Sequence, residues 1–165
     1  MSESPDFLPP ILELEGSWEE ILDLLYCVFV KDFKVRRCFH KGMPVYYDDR
    51  VLPEGMGKEE GFWHVISRND YSRGERFPDF RRAERLPWAR PLMESPDRVE
   101  IKVFDYEEGP KDKGIRRYIW LEDYDYVLIF KRREKRRDLF WLTAFYVDKK
   151  GQREDLRKRY EKRVQ

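Results

Sequence analysis

Cysteine and histidine are scarce in this chain of 165 residues, which holds two of each. Cys27 and Cys38 are too few for the disulfide framework of a small secreted domain. There is no CxxC pair and no HExxH, and His40 and His64 stand 24 residues apart, so no zinc site is expected. Acids are plentiful, but no spaced acidic motif marks a magnesium site. Gly55, Gly57 and Gly61 are not followed by G-K-[ST], and no Gly-rich dinucleotide fingerprint follows a predicted strand. A G-x-S-x-G elbow is missing too. The expectation is a protein with neither metal nor cofactor. No apolar stretch approaches the ~20 residues that span a bilayer. The opening MSESPDFLPP is acidic and lacks the basic-then-apolar layout of a secretory signal. A cytoplasmic protein with no membrane contact is expected.

What the chain has in quantity is aromatic and charged residues, at 16% and 41%. Such an aromatic content argues for a packed core and against disorder. The formal net charge is only +1, but it is unevenly spread. Residues 1–60 carry 7 basic and 13 acidic side chains, residues 61–130 carry 13 and 14, and residues 131–165 carry 14 and 6. A basic terminal third is either a polyanion footprint or a solvated hairpin tip and helix.

Local signals divide the chain. Residues 1–16 read as an irregular leader. Ser17 and Glu20 form a capping box for a helix over about 18–32, with Trp18, Ile21, Leu22, Leu25 and Phe29 at helical spacing. Cys27 is expected in its core face, and His40, among charged neighbours, at the surface. Residues 43–48 suggest a short edge strand, since Pro44 cannot donate to a ladder. Residues 61–68 are too short to assign by period, and 69–78 read as a loop. Asp79 can cap a helix that Pro87 and Pro91 kink or divide. From Arg98 to Phe104 the period becomes 2, the mark of a half-buried strand. Residues 105–114 read as a turn, and Arg117–Leu121, Tyr124–Arg133 and Asp138–Asp148 as further strands. A four-residue turn, 134–137, sets Arg133 opposite Asp138 and Phe130 opposite Trp141. Residues 152–163 form a basic terminal helix. The whole reads as one α+β domain: N-terminal helices in a mainly helical part (17–96), a twisted antiparallel sheet of about four strands (98–148) and a short C-terminal helix.

The chemistry left is His, Arg, Lys, Thr and Tyr around a sheet, a set that suits RNA cleavage without metal. The ribose 2′-OH is the nucleophile. The protein must supply a base, donors for the phosphorane charge, and an acid for the 5′-oxygen. On the last strong strand, Leu142-Thr-Ala-Phe-Tyr-Val147 resembles the Thr-Ala-Tyr signature of the barnase–EndoU–colicin–RelE-like ribonucleases, including their phage-associated branch. Upstream, Gly61-Phe-Trp-His-Val-Ile66 resembles that group's histidine motif, and a segment with Arg81, Arg82, Arg85 and Arg90 follows it. The likeness touches residues from about 40 to 148. The aromatic doublet here is Phe-Tyr, and the second catalytic histidine of some branches is not evident. The resemblance implies a toxin- or phage-type endoribonuclease, with RNA as partner (tRNA among the candidates) and a cognate inhibitor protein as a second.

On that reading His64 is the general base or acid. Arg85 and Lys131 hold the phosphate, Thr143 orients it, and Tyr146 shares in proton transfer or stacking. Arg117 and the hairpin residues Arg132, Arg133, Arg136 and Arg137 contribute RNA contacts. Each has a plainer alternative: a structural histidine for His64, a strand filler for Thr143, a solvated tip for the hairpin arginines. Thr143 and Tyr146 are three apart and face opposite sides of an ideal strand, so they share a site only if the strand ends or bulges near Ala144. The other class of function is a binding module for RNA or an acidic protein, or a phage structural or accessory protein without an active site.

Overall fold

Ser17 opens the first helix as its sequence demands. Its hydroxyl accepts from the Glu20 N–H at 3.2 Å, and the Glu20 carboxylate reaches back to the Ser17 N–H. In this computed structural model, which describes residues 4–70, 75–110 and 114–165, helix α1 covers Trp18–Phe29 and continues as one π-helical stretch over Val30–Lys34. Ile21, Leu22, Leu25 and Phe29 are buried along one face. Cys27 is exposed, contrary to expectation, because it lies two residues from both Leu25 and Phe29 and so on the opposite face.

The other elements, among the described residues, are β1 (Phe39–His40), β2 (Met43–Tyr47), α2 (Glu60–Ile66), β3 (Ser67–Asp70), β4 (Glu75–Pro78), α3 (Phe80–Ala83), α4 (Leu86–Glu94), β5 (Lys102–Glu107), β6 (Ile115–Leu121), β7 (Tyr126–Arg133), β8 (Asp138–Tyr146) and α5 (Lys150–Glu161). The class is α+β, but the sheet is larger than expected and mixed. Six strands run in the order β1-β2-β8-β7-β6-β5, with β2 parallel to β8 and the other pairs antiparallel. The segment expected as an edge strand therefore lies between β1 and β8.

Arg133 faces Asp138 and Phe130 faces Trp141, as the four-residue turn requires. Pro87 sits in the first turn of α4 and separates it from α3, while Pro91 is tolerated inside. Several boundaries differ from the sequence reading. Arg98, Val99 and Glu100 lie in turns closed by the Arg98 and Ile101 N–H groups, so β5 begins at Lys102 and runs on to Glu107. Tyr124 ends a 3-10 turn, and β7 starts two residues later. Within 69–78, β3 and β4 pair as a two-stranded hairpin, while residues 71–74 lie outside the described residues.

The sheet has an apolar layer on each side. On the helix side, α1, α2 and α4 pack against Tyr126, Leu128, Phe130, Leu139, Trp141 and Ala144. On the other side, Phe104, Tyr118, Trp120, Val127 and Val147 meet Leu156 of α5. Burying a large aromatic such as Trp88, Trp120 or Trp141 stabilises by ~1.5–3 kcal/mol or more. His40 corrects the sequence reading: it is fully buried, while Phe39 beside it is exposed. Pairing with β2 decides which of the two points inward, and charged neighbours in sequence carry no information about that.

Candidate active site

The site forms where α2 crosses β8. Gly61 lets α2 seat closely against the end of β2, the neighbour of β8. A Cβ on it would lie 2.9 Å from the Tyr47 Cβ and 3.1 Å from the Asp48 carbonyl, which accepts from the Gly61 N–H at 2.8 Å. The last turn of α2 is thereby held against the sheet, and that turn carries His64.

Two side chains fix the turn. The Thr143 hydroxyl donates to the His64 carbonyl at 3.2 Å. One Arg82 Nη donates to the same carbonyl at 3.2 Å, to the Ser67 carbonyl at 2.8 Å and to the Thr143 hydroxyl at 3.4 Å. β8 bulges just before Thr143. Ile129 pairs with Thr143 and Phe130 with Trp141, which leaves Leu142 as the extra residue. The Trp141 indole N–H takes up the Thr143 carbonyl at 3.0 Å. Trp141 and Ala144 both enter the helix-side core, and Tyr146, two residues past Ala144, shares that face. The bulge lies before Thr143 rather than near Ala144, so Thr143 and Tyr146 stay in regular register with Ile129 and Tyr126; Arg82 links them, bonding the Thr143 hydroxyl and lining the recess with Tyr146.

His64 is half-buried. The Asp48 carboxyl is held below the usual range chiefly by the fork of hydrogen bonds from Arg50, with a smaller electrostatic contribution from His64. Beyond Thr143, a recess of about 190 Å³ is lined by Arg68, Asp79, Arg82, Phe145, Tyr146, Asp148 and Gln152. Asp79 caps α3 by accepting from the Arg82 N–H and stands 3.5 Å from Arg68 and 3.8 Å from Arg82. Burial lowers the Arg82 pKa, against the pull of Asp79. The Tyr146 ring lies under two guanidinium groups, Arg85 at 4.3 Å and Arg81 at 5.4 Å.

The other sequence candidates fall elsewhere. Arg85 is buried, donates to Glu84 and the Arg81 carbonyl, and supports Tyr146 from behind. Arg117 is buried in a two-pronged pair with Asp105, which also accepts from Arg132 at 2.6 Å. Arg133 is paired with Asp138 at 2.6 Å. Lys131 is exposed and alternates onto the face of Val127 and Ile129, away from α2, where it lines a shallow cleft with Arg132, Arg133, Lys135 and Arg136. Arg137 is exposed, with a positive φ of 55° at the end of the turn. So the His64 carbonyl and Thr143 meet at Arg82, which shares a recess with Tyr146, itself under Arg81 and Arg85, while Lys131, Arg117 and the hairpin arginines lie toward the other end of the sheet. Asp48, Arg68 and Gln152 join the site without having been singled out. Nothing local marked Asp48, Arg68 or Gln152.

No protein-family model, curated protein or solved structure matches this chain. Among the described residues, no group of three or more His, Cys, Asp or Glu side chains is placed to hold a metal ion. No helix there is long and apolar enough to cross a membrane.

Proposed function

We propose that this chain is an endoribonuclease of toxin or phage type that cleaves RNA by 2′-OH transesterification without a metal. One observation carries the reading: Arg82 donates to both the His64 carbonyl and the Thr143 hydroxyl and lines one recess with Tyr146. His64 takes the 2′ proton as the 2′-oxygen bonds to phosphorus. Arg68 and Arg82 stabilise the phosphorane charge. The P–O5′ bond breaks, and the 5′-oxygen leaves with a proton from the Tyr146 phenol, which is replenished from solvent. The products are a 2′,3′-cyclic phosphate and a 5′-hydroxyl. Thr143 acts as a positioning residue, since its proton is engaged by the His64 carbonyl.

The test is incubation with total RNA in EDTA and mapping of the new ends. Cyclic-phosphate ends that persist under chelation support the mechanism; cleavage only with added magnesium or zinc overturns it. His64→Gln should lower the rate by about 10²–10⁴ with little change in melting temperature. A loss of stability with activity tracking the folded fraction would make His64 structural. A second reading, a non-catalytic module for RNA or an acidic protein, draws on the exposed Lys131, Lys135, Arg136 and Arg137 at the far end of the sheet. It predicts binding without new RNA ends. An RNA partner, and a cognate inhibitor that covers the cleft, follow from the nuclease reading.

A further inference from the structure

The outer side of the sheet is only partly covered. Leu156 and Tyr160 of α5 pack on residues of β5, β6 and β7 and on the end of β8. Over β1, β2 and the start of β8 there is no such cover among the described residues, and Phe39, Tyr46 and Phe140 belong to neither apolar layer. Phe39 is 52% exposed and Tyr46 37%, and Phe140 is half-buried.

Register puts these rings on one side. Phe39 pairs with Pro44, and Pro44 alternates with Tyr46 away from the buried Val45. Tyr46 pairs with Phe140, and Phe140 with Lys131. Guanidinium groups stand beside the rings. Arg37 is 4.1 Å from the centre of the Tyr46 ring, and Arg133 is 5.5 Å from Tyr46 and 4.9 Å from Phe140. Arg37 donates to the Val45 carbonyl at 3.2 Å and forms no ion pair among the described residues. Lys131 is exposed and likewise without an ion pair there. The nearby anions Asp138 and Glu134 are engaged by Arg133 and Arg132. Rings interleaved with guanidinium planes, with cations left over, match a ligand that carries a flat π-face and a negative charge on every unit. An unpaired nucleotide strand has both. A duplex keeps its bases stacked inside. An acidic peptide would engage the cations through their N–H groups and leave the rings in water.

We propose that the outer face of β1, β2 and the start of β8 is a stacking platform for single-stranded RNA. Unpaired bases lie against Phe39, Tyr46 and Phe140, and Arg37 and Lys131 take the phosphates between them. The platform rests on RNA being the partner, as in the proposed function, and does not depend on cleavage.

Binding of three probes of equal length to the full chain tests this. They are a 2′-O-methyl RNA dodecamer, which lacks the 2′-OH needed for cleavage, the same sugar–phosphate chain without bases, and a dodecamer of glutamate. The protein should bind the RNA about tenfold more tightly than the base-free chain, a difference of the size that base–ring stacking supplies. Phe39→Leu/Tyr46→Leu keeps apolar bulk at two exposed positions and should remove most of that preference, with the log–log salt slope unchanged. Lys131→Gln should do the reverse, lowering the slope by ~0.7 and keeping the preference for bases. Equal affinity of the unmodified protein for RNA and the base-free chain overturns the platform, and that comparison needs no variant to fold. A folded Leu variant that keeps the full preference overturns it as well. Tighter binding of the glutamate chain than of RNA overturns it in favour of an acidic protein partner. A ring-dependent preference for bases, without any cleavage of total RNA, sinks the nuclease reading and keeps the platform. Cleavage by a protein that shows no such preference keeps the nuclease reading and overturns the platform.

Discussion

The His40 imidazole is fully buried, with its Nδ1–H donated to the Met93 carbonyl at 2.8 Å and its Nε2 without a partner. Burial pushes its pKa down to about 4, against the pull of the Met93 bond, and Arg117 and Lys41 add to the fall. An unfolded histidine titrates near ~6.5, so between that pH and about 4 the unfolded chain binds a proton that the folded chain refuses. Stability therefore falls as pH drops through this window, by about 3 kcal/mol in all. His40→Asn keeps an N–H donor near the Nδ1 position and does not titrate. Urea midpoints measured from pH 7 to 4 should decline less steeply for this variant; parallel curves would mean that His40 titrates normally. Thr143→Val tests the other buried interaction at this scale. It keeps the shape of the side chain and removes the hydroxyl that holds the His64 carbonyl. The expected cost is ~1–3 kcal/mol for the unmade bond. Because the turn carrying His64 loosens, kcat should drop further than the folded fraction does, and equal losses of rate and fold would assign Thr143 to stability alone.

Elements meet at the site through one tight approach and one irregularity. The approach is α2 on β2, where Gly61 leaves no room for a Cβ against Tyr47. Gly61→Ala must push the helix outward, at an expected cost of ~1–3 kcal/mol for overpacking. In a chain of this size that lowers the melting temperature by roughly 2–4 °C per kcal/mol. A melting temperature equal to that of the unmodified protein would show that α2 is not seated as tightly as described. The irregularity is the bulge at Leu142, which lies before Thr143 and leaves Thr143 and Tyr146 in regular register with Ile129 and Tyr126. The cost of interrupting the ladder is offset locally, since the Trp141 indole satisfies the Thr143 carbonyl.

Across the whole molecule, charge is divided between two ends of β8. Tyr146 and its recess lie at one end. The basic turn lies at the other, on the order of 15 Å from Thr143 at the usual rise of a strand. The structure also sorts the turn's cations. Arg132 and Arg133 are committed to Asp105 and Asp138, whereas Lys131, Lys135, Arg136 and Arg137 form no ion pair among the described residues. Arg136→Gln/Arg137→Gln should therefore flatten the salt dependence of RNA binding by ~0.7 for each phosphate left without its cation, and leave the melting temperature nearly unchanged. Arg133→Gln should do the reverse, because the Asp138 carboxylate, with 5% of its side chain exposed, would lose both its hydrogen bonds. The expected destabilisation is ~1.5–3 kcal/mol, read by urea unfolding. If the turn arginines leave the salt slope untouched, the turn is a solvated tip and RNA is held elsewhere on the sheet.

Features set by neighbours in sequence were readable directly. The capping box of Ser17 and Glu20, the helix break at Pro87 and the pairing of Arg133 with Asp138 depend on side chains or turn lengths only a few residues apart. The α+β class followed from the change of period along the chain. The grouping of a histidine with a Thr strand and an arginine segment was also visible in short motifs, though only as residue types. Tertiary structure decided the rest. β2 lies parallel to β8, His40 turns inward and Cys27 outward, and residues expected to be loop pair as a hairpin. It also separated Lys131 and Arg117 from His64 and brought Arg68 and Asp148 beside Tyr146. The physical reason is common to all of these. A strand's register and inward face are set by the partner it pairs with, and those partners are distant in sequence: β2 meets β8 across some ninety residues, and the extra residue at Leu142 has no meaning until β7 lies beside it.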